Sequence, residues 1–140
     1  MKQNPIIIVD DDEDDLELIR QAGEKLDIDR PMLFMRTGEE LVEYLESDEL
    51  SPFLILCDVN LPRESGFQLR ERILILPKAR YKSVPFVFWS TSSSEQQIQY
   101  AYDLPVQGYF FKPNGFEELC DILRLVLSYW LKSQHPKSVG

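Results

Sequence analysis

Ile6-Ile7-Ile8-Val9-Asp10-Asp11-Asp12-Glu13-Asp14-Asp15 decides how the rest of the chain is read. Four β-branched apolar residues stop abruptly at six acids. A run that is apolar at every position, rather than at alternate ones, is the pattern of a strand buried on both faces. Working outward, Met32-Leu33-Phe34-Met35, Phe53-Leu54-Ile55-Leu56-Cys57, Phe86-Val87-Phe88-Trp89 and Tyr109-Phe110-Phe111 are four further runs of this kind. Helical patterns separate them. Leu16, Ile19, Gly23 and Leu26 recur at helical spacing, and Leu41, Val42 and Leu45 follow Thr37, a suitable helix cap. Leu69, Ile73 and Leu76 mark a third helix, Ser92 to Asp103 a more polar fourth, and Leu119, Leu123, Val126 and Trp130 one face of a fifth from about Phe116 to Lys132. Five apolar strands alternating with five helices predict an α/β chain with a parallel sheet, right-handed crossovers and helices on both faces. In such folds the chemistry collects beyond the carboxyl ends of the strands.

The strand ends are therefore the places to search. A run of six acids is more often a solvated helix start, where the dipole favours negative charge, than a site. Asp10 and Asp11 differ because they directly follow a buried strand, whereas Asp12 to Asp15 suit a solvated first helical turn. The third strand ends in Cys57-Asp58. If it neighbours the first, three carboxylates share a small space, and the usual remedies are protonation or a hard divalent cation. An oxygen donor set without His or Cys suits Mg²⁺ or Mn²⁺ rather than zinc or copper. The fourth strand is followed by Ser90, and Ser92 with Glu95 reads as a capping box for the next helix. The fifth is followed by Lys112-Pro113, a cation on a long stem at the same edge.

The chain has 140 residues, with 24 Asp plus Glu against 15 Lys plus Arg and a formal charge of -9. This length is one domain's worth, with residues 1–140 read as a single unit, its core at about 6–130 and a flexible tail at 131–140. The charge is uneven: residues 1–50 carry 16 acids and 5 bases, and residues 51–140 carry 8 acids and 10 bases. Such a molecule is repelled by nucleic acid and by anionic lipid, so direct binding to DNA or a membrane is disfavoured. Cys57 and Cys120 lie in apolar runs and suggest neither a disulfide framework nor a zinc site. No signal-peptide core or membrane-length apolar run is present, which predicts a cytoplasmic protein.

Four motifs, agreeing in order and spacing, resemble the receiver domain of two-component response regulators. They are Val9-Asp10-Asp11, Asp58-x-Asn60-x-Pro62-x-x-x-Gly66, Pro85 with Ser90 five residues on, and Tyr109-x-x-Lys112-Pro113. The resemblance runs from about Ile6 to Trp130 and implies a flavodoxin-like (βα)5 sheet of strand order 2-1-3-4-5. It implies that Asp58 is the phosphoacceptor, with Mg²⁺ or Mn²⁺ held by Asp11, by Asp10 largely through water, by Asp58 and by the backbone carbonyl of Asn60. Ser90 and Lys112 would contact the phosphoryl group, Tyr109 would be the aromatic switch, and the Lys112-Pro113 bond would be cis. Leu61 and Ser65 depart conservatively from the common pattern, and Thr91 stands where a smaller residue is typical. Asn60 and Ser92 fall where the family tunes hydrolysis of the phosphorylated state.

The implied function is that of a phosphoprotein in a two-component phosphorelay. It takes a phosphoryl group from a sensor histidine kinase or phosphotransfer protein and presents an altered surface to a downstream protein. Its chemistry would be limited to self-catalysed phosphoryl transfer and autodephosphorylation, so it is not read as an enzyme. Only Leu131 to Gly140 follow the last helix, which leaves no length for a DNA-binding output domain in this sequence. Tyr129-Trp130-Leu131 resembles the tail of single-domain receivers serving phytochrome-type kinases, and the surface of the fourth and fifth helices is a candidate for self-association as a homodimer. Two other classes compete. One is a receiver-like adaptor or dimerisation module that works without phosphorylation. The other is a flavodoxin-like nucleotide or flavin binder, disfavoured by an acidic first loop where a phosphate cradle would be glycine-rich.

Overall fold

The computed structural model describes residues 3–91 and 94–136. Its parallel sheet runs β2-β1-β3-β4-β5, built from β1 (Ile6–Val9), β2 (Met32–Met35), β3 (Leu54–Asp58), β4 (Phe86–Ser90) and β5 (Gly108–Phe111). Consecutive side chains of a strand point to opposite faces, so each all-apolar strand feeds two cores. Ile7, Val9, Ile55, Cys57, Phe86 and Phe88 pack on the side covered by α2 (Gly38–Glu46), α3 (Gly66–Ile75) and α4 (Glu95–Asp103). Ile6, Ile8, Leu54, Leu56, Val87 and Trp89 pack on the other, under α1 (Glu13–Lys25) and α5 (Phe116–Lys132). Both cysteines are buried and free, one in each core.

The three inner strands are buried at every residue, as expected. The edge strands differ: β2 is half-buried over Met32 to Phe34, and β5 is half-buried with Phe111 exposed. An edge strand has a neighbour on one side only, so an apolar sequence there does not ensure full burial. The helix starts follow local chemistry. Asp12 caps α1 through Asp14 N and Asp15 N, and Thr37 caps α2 through Glu40 N. At α4 the expected box of Ser92 with Glu95 is replaced by Ser94 with Gln97, bonded reciprocally. Both pairs satisfy the same spacing rule, and the helix begins at Glu95; Ser92 itself lies outside the described residues.

The described part of the segment expected as a flexible tail lies against the start of β3. Helix α5 continues to Lys132, and the chain then turns back to the amino edge of the sheet. There the His135 ring stacks on Phe53 at 4.7 Å and 6°, and its Nε2 lies 2.6 Å from the Phe53 carbonyl oxygen. Trp130 meets His135 edge-on at 6.2 Å. Nothing in the local sequence marks a polar tail for docking; only the folded chain brings Phe53 beside it. His135→Ala is expected to cost about 1–2 kcal/mol of stability, the sum of one stacked pair and one hydrogen bond. Urea titration reads this directly, and an unchanged midpoint would show that the docked tail contributes nothing.

Candidate functional site

The strand register assembles the site. Val9 lies opposite Cys57, Asp58 opposite Trp89, and Ser90 opposite Phe111. Asp10, Asp58, Ser90 and Lys112 therefore emerge together at the carboxyl edge. Asp10 and Ser90 are fully buried, Asp58 is 3% exposed, and Asp11 is half-buried. Carboxylate oxygens of Asp10, Asp11 and Asp58 lie within 4.8 Å of one another.

Short backbone loops fix the orientation of these groups. Asp12 N donates to Asp10 Oδ1 at 2.9 Å, and Asn60 N donates to Asp58 Oδ1 at 2.9 Å. Each acid thus turns one oxygen into its own loop and leaves the other for the cluster. The glycine of the second motif has a steric reason: a Cβ on Gly66 would lie 2.5 Å from the Asp58 carbonyl oxygen. Only glycine lets the start of α3 approach the end of β3 so closely, and Gly66 N donates to Val59 O at 2.8 Å.

One ammonium serves the carboxylates. Lys112 Nζ lies 2.9 Å from Asp58 Oδ2, 3.0 Å from Asp10 Oδ2 and 2.8 Å from Asp15 Oδ2, and its side chain is 11% exposed. The Trp89 ring lies 5.5 Å from the same nitrogen. Burial pushes the Asp10 carboxyl up from 3.8 to about 6, against the Asp12 N–H and Lys112, which lower it. Burial likewise raises Asp58 against the pull of Lys112 and Asn60 N. For Lys112, burial disfavours the charge, but the hydrogen bonds to Asp15 and Asp58 and the ion pair with Asp10 outweigh it and hold the ammonium above its ordinary range. A single ammonium shared three ways leaves the two buried acids undercompensated.

The remaining expected residues fall around this centre. Asn60 Nδ2 donates to Ser90 Oγ at 3.0 Å, which ties the loop after Asp58 to the end of β4. Tyr109 is half-buried; its ring packs 6.3 Å from Phe88 and 6.4 Å from Phe67. Thr91 is exposed. The Lys112-Pro113 bond, implied as cis, is trans, since no cis peptide bond occurs among the described residues; for X-Pro the two isomers differ by only about 0.5–1 kcal/mol.

Asp15, expected in a solvated first helical turn, is instead a partner of Lys112. A signal existed: Asp15, Ile19 and Ala22 are spaced i, i+4 and i+7, and Ile19 and Ala22 are fully buried. Asp15 thus continues the buried stripe of α1 to the rim of the site, where its side chain remains 31% exposed.

The donor set fits a hard divalent cation: the oxygens of Asp10, Asp11 and Asp58 converge, and one buried Lys112 leaves them with excess negative charge.

A five-stranded 2-1-3-4-5 sheet carrying an acid cluster, a serine and a lysine at its carboxyl edge is a recognised class. Residues 6–124 match the response regulator receiver domain, and the chain belongs to that family of two-component signalling regulators. Two relatives illustrate its breadth. The protein named "Probable methanogenesis regulatory protein FilR2" of Methanothrix harundinacea is 29% identical over 130 residues, covering 90% of this chain and 83% of FilR2. The response regulator Rcp1 of Synechocystis sp. is 27% identical over 133 residues, covering 91% of this chain and 89% of Rcp1. Among solved structures, the phosphorylated cyanobacterial phytochrome response regulator RcpA superimposes with a TM-score of 0.82 at 30% identity, covering 96% of this chain and 99% of RcpA. The Mn²⁺-bound form of Rcp1 gives 0.81 at 26% identity, with the same coverage of 96% and 99%. Among the described residues, no helix is long and apolar enough to cross a membrane.

Proposed function

We propose that the chain is a phosphoryl-accepting switch in which Asp58 is the acceptor. The observation that carries this is the convergence of Asp58 Oδ2 with the Lys112 ammonium and the two other carboxylates at one strand edge. Asp10, Asp11, Asp58 and the Asn60 carbonyl would hold Mg²⁺ or Mn²⁺; the ion would neutralise the donor's phosphoryl oxygens and offset the local negative charge. Asp58 Oδ2 attacks phosphorus as the donor's P–N or P–O bond breaks, and the leaving group keeps the bonding pair. Positioning and electrostatics do most of the work, because an aspartate is a weak nucleophile.

Lys112 already touches Asp58 and is placed to pair with the transferred phosphoryl group. Ser90 Oγ accepts from Asn60 in this state, and a phosphoryl oxygen would be an acceptor for its O–H. Phosphorylation adds about -1.5 to -2 charges and strong acceptors. Movement of Ser90 would be felt by Phe88 and by Tyr109 packed on it, which links the site to the surface of α4, β5 and α5. The donor fits a sensor histidine kinase or phosphotransfer protein, and likeness to the phytochrome response regulator RcpA supports a phytochrome-type kinase as the source. The output would be a protein contact, with self-association through α4 and α5 as one form of it.

Intact-mass measurement after incubation with Mg²⁺ and acetyl phosphate tests the reading. A gain of one phosphoryl group is expected. No gain would favour an adaptor that works without phosphorylation.

A further inference from the structure

Lys112 has three ammonium protons and three carboxylates within reach. Two of those, Asp10 and Asp58, belong to the cluster that a divalent cation would occupy. The third, Asp15, stands outside it, in the first turn of α1, and makes the shortest contact at 2.8 Å. Beside it a cleft of about 90 Å³ opens between α1 and the segment after β5, lined by Asp15, Leu18, Trp89, Lys112 and Pro113.

This arrangement sets up a competition. An ammonium bound only by Asp10 and Asp58 would hold the same oxygens that a metal ion needs, and the two cations would repel. With Asp15 present, the ammonium has an anchor that the metal does not use, and the Trp89 ring beside it is a favourable surface for a cation.

We propose that Asp15 is a positioning residue for Lys112, drawing the ammonium toward α1 so that Asp10 and Asp58 are free for a divalent cation while Lys112 stays beside the acceptor oxygen. The proposal rests on the metal and phosphoacceptor reading given above. A plainer role is available to Asp15, since an acid in the first turn of a helix favours the dipole, and the test must separate the two.

Mg²⁺ titration of the full chain, followed by tryptophan fluorescence and by calorimetry, makes that separation. Asp15→Asn is expected to weaken Mg²⁺ binding about tenfold, and Asp15→Glu, which keeps the charge, to return it to within about threefold of wild type. In a Lys112→Gln background the same Asp15→Asn change should alter binding less than about twofold, because the competitor it restrains is gone. An equal or larger loss in that background would mean that Asp15 acts on the metal as a distant charge, and would overturn the proposal. So would unchanged affinity in Asp15→Asn when the wild type binds. A wild type that binds no Mg²⁺ at all would instead bring down the metal reading, and this inference with it.

Discussion

Asp58→Asn is expected to gain no phosphoryl group under conditions where the wild type gains one. The substitution keeps the size and shape of the side chain, its acceptor oxygen for Asn60 N and its place beside Lys112, while removing the nucleophilic carboxylate. Loss should therefore be complete rather than graded. It should also occur without loss of fold, because Asp58 is a charge in a cluster that already carries too much of one sign. Residual mass gain in Asp58→Asn would move the acceptor to Asp10 or Asp11, whose oxygens lie in the same cluster. Asp10 is the weaker rival: it is fully buried, and one oxygen is committed to Asp12 N.

The second large effect is on stability in the absence of metal. Asp10 ionises at about 6 in the folded chain instead of its ordinary 3.8. A carboxyl with a raised folded value binds its proton more tightly in the native state than in the unfolded one. The stability linked to it is fully present below the ordinary value and is lost as pH rises through about 6. Between pH 4 and pH 7 the metal-free protein should lose about 2 kcal/mol from this group, allowing for partial screening by solvent. Asp58, also raised, acts in the same direction.

Asp10→Asn removes the titrating charge, so it should flatten that pH dependence and raise metal-free stability at pH 7 by a similar amount. Saturating Mg²⁺ should restore the wild type near neutral pH, by about 2.7 kcal/mol when free metal is 100 times its dissociation constant, and should help Asp10→Asn much less. Urea unfolding across this pH range, with and without Mg²⁺, decides it. Identical profiles for wild type and Asp10→Asn would show that no uncompensated buried charge exists at this position. The signature is that of a binding site kept at the expense of stability.

These effects trace back to features that were unequally visible in the sequence. The five strands could be read because a strand covered on both faces must be apolar at every position, and an acid directly after such a run must surface at the sheet's carboxyl edge. That logic places Asp10, Asp11, Asp58, Ser90 and Lys112 at one edge. The spacing of Asp58, Asn60, Pro62 and Gly66 carried a requirement whose cause only the structure displays: the 2.5 Å approach that excludes a Cβ at Gly66.

What the sequence alone determined is the set of strand-end groups, since burial on both faces leaves a one-dimensional mark. Tertiary structure alone decided which neighbours those groups have. The spacing of Asp15 with Ile19 and Ala22 sets it on the buried stripe of α1, apart from Glu13 and Asp14, but the neighbour it meets there, Lys112, comes from 97 residues away along the chain. The start of α4 was chosen between two equivalent capping pairs, and the fate of His135 depended on Phe53, 82 residues away along the chain. Each of these outcomes rests on contacts between distant segments, and periodicity along the chain cannot encode which segments meet.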